Sequence, residues 1–90
     1  MSEESTQEKL IGKVTHYFSN IGVAVIELSD DLKVGDTIRI KGGLDTDFTQ
    51  TVESMEMDHQ KVTEAKKGDS VGLKVDQKVR EGYSVYKVIS

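Results

Sequence analysis

Few residues in this 90-residue chain have side chains suited to chemistry. His16 and His59 are the only histidines, and there is no cysteine. Structural zinc takes four ligands and catalytic zinc three, and two histidines without further ligands at matching spacing supply neither. Asp45-Thr46-Asp47 resembles the start of a calcium loop, but the sixth position, where the sharp turn needs glycine, is Gln50. Asp30 and Asp31 are adjacent on a polar turn and lack the apolar surroundings that split the pKa values of a catalytic carboxylate pair. No G-x-x-x-x-G-K-[ST] phosphate loop, no G-x-G-x-x-G fingerprint and no G-x-S-x-G elbow occurs. The sequence therefore points away from an enzyme and away from any cofactor, metal or nucleotide.

Binding is the remaining class. The net charge is -4, and half of it lies in residues 1–9, which hold Glu3, Glu4 and Glu8 against Lys9. Lys61, Lys66, Lys67, Lys74, Lys78 and Arg80 make the last third locally basic. Such a face is either ordinary solvated surface or a patch for RNA or an acidic partner.

The elements that must position these residues are strands. Val (11 residues), Ile (6) and Thr (7) dominate, whereas alanine occurs only at 24 and 65, a bias that favours pleated structure over helix. Residues 1–9 read as a disordered acidic tail and residues 10–90 as one domain. Strands are expected over 10–18 and 22–28. In the second, Val23 and Val25 form one face and Ala24, Ile26 and Leu28 the other, an apolar pattern on both sides. A glycine turn feeding an alternating strand recurs at Val34-Gly35-Asp36, Lys67-Gly68-Asp69 and, more loosely, Glu81-Gly82-Tyr83. Ile38 and Ile40 should face inward after the first copy, and Val71, Leu73 and Val75 after the second. Val52, Met55 and Met57 differ in parity, which predicts a bulge near Glu53-Ser54 within a strand over 48–57. Residues 58–67 read as a loop with a short strand, anchored by Val62 and Ala65. Six strands at hairpin spacing make an all-β fold, a small closed six-stranded antiparallel β-barrel. No apolar run is long enough to span a bilayer, and the polar start is unlike a signal peptide, so a cytoplasmic location is expected.

The stretches Leu32 to Ile40, Met55-Glu56-Met57 and Glu64 to Leu73, with its Gly-Asp-Ser-Val-Gly-Leu element, resemble the second domain of elongation factor Tu and other translational GTPases. Phe48 to Glu53 and Leu73 to Asp76 equally resemble the small barrel appended to collagenase-like peptidases. The chain thus looks like a free-standing translation elongation factor-like domain. The first resemblance implies a closed barrel that touches transfer RNA or the ribosome. It places Glu64 where a glutamate lies against the terminal adenosine, although the segment Ile26 to Asp31 lacks the arginine usual there and no GTPase domain accompanies the barrel. His59, Lys61, Glu64, Lys66 and Lys67 are then the candidate binding residues. The second resemblance implies a protein-interaction module acting in trans. The translation-type reading is taken first.

Overall fold

The reason that some strands stop early lies in their backbone hydrogen bonds. In the computed structural model, which describes residues 8–43 and 46–89, every regular element is a strand. They are β1 (Glu8–Phe18), β2 (Val23–Leu28), β3 (Leu32–Lys33), β4 (Thr37–Gly42), β5 (Thr46–Thr51), β6 (Met55–Met57), β7 (Gln60–Val62), β8 (Glu64–Ala65), β9 (Ser70–Lys74) and β10 (Ser84–Val88). Eight form one antiparallel sheet in the order β5-β4-β10-β1-β2-β9-β6-β7, and β3 pairs with β8 apart from it. The all-β class holds. The six strands of the expectation are instead ten, and among the described residues the ladder does not close, because β5 and β7 are its edges. A side chain bridges part of that gap: Gln50 of β5 donates from Nε2 to the Lys74 carbonyl at 2.7 Å, and its Oε1 accepts the Asp76 amide at 2.8 Å.

The three glycine turns share one construction. Gly35, Gly68 and Gly82 have φ of 100°, 93° and 93°, the left-handed region that a type II turn requires at its third residue. The amides of Asp36, Asp69 and Tyr83 close these turns onto the carbonyls of Lys33, Lys66 and Arg80. Each glycine and its successor then oppose a single residue of the neighbouring strand. The Gly35 amide donates to the Val52 carbonyl (2.9 Å) while the Val52 amide donates to Asp36 (2.8 Å). Gly68 and Asp69 hold Leu28 in the same way at 2.9 and 2.8 Å, and Gly82 and Tyr83 hold Val14 at 2.7 and 2.8 Å. Two residues against one, with glycine first, is a G1 bulge. In the first two copies the aspartate adds a further bond, Asp36 Oδ2 accepting from the Lys33 amide (3.0 Å) and Asp69 Oδ2 from the Lys66 amide (2.9 Å).

This construction corrects the expected strand over 48–57. Both backbone groups of Val52 are committed to the first turn, so β5 ends at Thr51 and β6 starts anew at Met55. The parity conflict is resolved by a break and not by a bulge at Glu53-Ser54. Further register shifts fall in β1, between Leu10 and Gly12 and between Val14 and His16. The first lets the consecutive residues Ile11 and Gly12 both be buried.

The inward faces otherwise follow the sequence pattern. Ile38, Ile40, Val71 and Leu73 are at most 2% exposed, and Val75 is also buried. Ala65 is buried and Val62 half-buried, as anchors of 58–67. Among the described residues, no polar or charged side chain is buried, so the core is wholly apolar.

Residues 1–7 of the expected tail lie outside the described residues. Glu8 and Lys9, also assigned to it, belong to β1. Their side chains explain why: Arg39 on β4 donates to Glu8 at 2.6 Å, and Lys9 pairs with Asp30. Arg39 also grips Asp47 of β5 in a bidentate pair at 2.7 and 2.6 Å. Its hydrogen bonds hold the Asp47 carboxyl below the usual carboxylate range and push the guanidinium pKa further up.

Two outcomes follow. At Gly68 an added Cβ meets nothing within 4 Å, so Gly68→Ala isolates backbone strain. A loss of roughly 1–2 kcal/mol is expected, read as a lower urea midpoint with an unchanged slope. The stabilisation that Arg39 gives Asp47 is present above the ordinary carboxyl pKa and is lost as pH falls through the depressed one. An NMR carboxyl titration should place Asp47 below the usual aspartate value of 3.8, and Arg39→Gln should return it there.

Candidate functional site

A groove of about 740 Å³ lies on the outer face of β2, β9 and β6. Its walls come from Phe18 and Ile21, at the β1–β2 turn, and from the β6–β7 hairpin. Val23 and Val25 of β2 form part of its floor. They are the second apolar face noticed in the sequence, and they are half-buried. Across the ladder Val25 pairs with Gly72, which pairs with Glu56, so the middle of the floor carries no side chain.

Phe18 and Ile21 are 42% and 59% exposed, unusual for apolar residues of this size placed side by side. Phe18 is held from behind. The His16 ring packs edge-on against it with centroids 4.4 Å apart, and His16 Nδ1 lies 3.4 Å from Glu81 Oε2. The opposite rim is built by a two-residue turn, Asp58-His59, with φ of 52° and 66°. Positive φ at both positions matches a type I′ hairpin turn, which normally uses Asn-Gly. Aspartate and histidine tolerate this conformation better than most residues, yet with strain.

The structure divides the five candidate residues. His59 and Lys61 line the groove. Glu64 sits on β8 opposite Lys33 and borders a separate cleft of about 150 Å³ with Asp31, Leu32, Lys33 and Lys87. Lys66 and Lys67 are exposed on the second glycine turn and line neither space. What the candidate set omitted was apolar: Phe18, Ile21, Val23, Val25 and Gly72. The one available sequence signal was a strand apolar on both faces beside an exposed turn.

Chemically the groove can bind but holds no reacting set. Glu56, Asp58, Lys61 and Lys74 share its rim, and among the described residues none of them makes an ion pair. Among the described residues no cluster of three or more His, Asp or Glu could hold a metal ion, and no helix is long and apolar enough to cross a membrane.

No family model matches the chain. It is 46% identical over 76 residues, 84% of its length, to an uncharacterized protease of Methanocaldococcus jannaschii. It is 36% identical over 87 residues, 96% of its length, to a collagenase of Porphyromonas gingivalis. The chain spans only 19% and 24% of these relatives. Its fold is that of the C-terminal domain of a Geobacillus thermoleovorans protein assigned to the U32 peptidases. Two crystal structures of that domain superpose with TM-scores of 0.81 and 0.82 at 20% and 21% identity, covering 86% and 88% of this chain and 96% and 91% of theirs. The peptidase-appended resemblance fits these findings. The translation-factor resemblance gains no support from them.

Replacing Asp58-His59 by Asn-Gly should relieve the hairpin strain and raise stability by about 1 kcal/mol. Thermal unfolding of the double variant checks this. An unchanged or lower midpoint would show that the native pair is not strained.

Proposed function

We propose that this chain is a non-catalytic accessory domain of the collagenase-type peptidases, acting by protein–protein contact. The supporting observation is its 46% identity to a segment making up 19% of a protease, joined to an apolar groove on the described surface. A domain of this size contributes to proteolysis by holding polypeptide substrate, which needs no nucleophile.

The ribosome or transfer-RNA reading is less well served. Lys66 and Lys67 do not line the groove that His59 and Lys61 line, and Glu56 and Asp58 put negative charge on its border. The net charge of -4 gives no long-range attraction for nucleic acid.

A chimera tests the proposal. In the Porphyromonas gingivalis collagenase, the matched segment is deleted or replaced by this chain. Deletion should lower hydrolysis of a protein substrate while sparing that of a short peptide, and the replacement should restore the former. Loss of short-peptide hydrolysis in a deletion variant that remains folded would place the segment in the catalytic machinery and overturn the accessory reading. Failure of the replacement to restore would deny the role to this chain.

A further inference from the structure

Glycine has a local structural reason at every position in this chain but one. Five of the 8 glycines have positive φ, and at Gly12 and Gly42 an added Cβ would stand 2.5 Å from the Glu27 carbonyl and 2.2 Å from the Tyr83 ring. Gly72 is the exception. Its φ lies outside the left-handed region, and an added Cβ would meet only Val23 Cγ1 at 3.4 Å, an ordinary contact. Glycine inside a strand costs roughly 0.5–1 kcal/mol relative to alanine. Such a glycine often marks a bulge, a tight bend, or close approach by a ligand or another backbone, and the β2–β9 ladder runs through Gly72 without a register shift.

Gly72 lies in the floor of the groove, flanked across the ladder by Val25 and Glu56 and walled by Phe18 and Ile21. From this placement we propose that the groove receives an extended polypeptide segment, with one large apolar side chain of that segment seated over Gly72. The inference rests on the accessory reading and names the ligand class for its surface. The rim supports a peptide. Acidic Glu56 and Asp58 and basic Lys61 and Lys74 offer both acceptors and donors to a neutral main chain, which has N–H and C=O groups to satisfy. The walls supply apolar area for one side chain, the usual anchor of such contacts.

Gly72→Val is the discriminating variant, because valine suits a strand, points outward here and fills the space over the floor. A displayed library of short random peptides is panned on the wild-type chain, and enriched peptides are titrated against wild type, Gly72→Val and Phe18→Ser. The expected result is enrichment of peptides with a bulky apolar residue, an affinity loss of ~10-fold or more on Gly72→Val, and a thermal midpoint no lower than wild type for that variant. A lower thermal midpoint for Gly72→Val would show that the fold itself demands the glycine and overturn the proposal, whatever Phe18→Ser does. No enrichment, or enriched peptides that bind both variants as well as wild type, overturns the proposal. Placing Gly72→Val in the collagenase chimera separates the two readings. A chimera that restores protein hydrolysis with either residue keeps the accessory role and removes the groove from it.

Discussion

The structure depends on one backbone arrangement used three times. A glycine with φ near +95° lets its own amide and the next residue's carbonyl face the same strand, so that they clasp both backbone groups of a single residue there. The clasped residues, Val14, Leu28 and Val52, are all buried, at 1%, 3% and 1% exposure. Each bulge therefore satisfies polar groups at the rim of an apolar core where water cannot. It also fixes where β4, β9 and β10 begin, and with that their phase. Because side chains alternate with a period of two, the phase decides which residues enter the core. The β3–β8 pair follows from the same device. Leu32 and Ala65 each stand just before a glycine turn, and pairing them buries both beside the core.

What the sequence made legible was local. The Gly-Asp turns, the inward faces of β4 and β9, and the two-sided apolar pattern of β2 all lie within a few residues of the signals that specify them. The break at Val52 was not legible, because the groups that end β5 belong to Gly35 and Asp36, distant in sequence. Glu8 and Lys9 read as tail for a similar reason: their ion-pair partners, Arg39 and Asp30, are far along the chain. The two-residue strands β3 and β8 carry too little periodicity to register at all. The closure expected of a barrel is not found in the ladder of the described residues, and the contact that Gln50 makes from β5 to the end of β9 is a side-chain one, which no strand pattern encodes.

The groove was less legible than the fold, because a search for sites in sequence favours charge. Lysine, histidine and glutamate draw attention because they can do recognisable chemistry, yet only His59 and Lys61 of the five candidates reach the groove. The groove itself is made by apolar residues on the outer side of a strand and by a missing side chain. Neither has a motif. Gly72 in particular reads in sequence as part of a Val-Gly-Leu strand, and its meaning emerges only when the other glycines have been assigned a conformational or steric cause.

The turn device and the groove are connected. The bulge at Gly68-Asp69 sets the phase of β9, placing Val71 and Leu73 in the core and leaving Gly72 on the outer face. On the opposite side, β2 must present Ala24, Ile26 and Leu28 inward, because the second bulge clasps Leu28, and this turns Val23 and Val25 outward beside Gly72. The apolar floor is thus a by-product of the register that stabilises the core, whereas the identity of residue 72 is not. An alanine at that position would satisfy the ladder and touch Val23. A strand position that an alanine would fit forgoes that stabilisation here, and the forgone contact is with the outside of the molecule. That is the physical ground for seeking the partner at this face and not at the lysine-bearing turn.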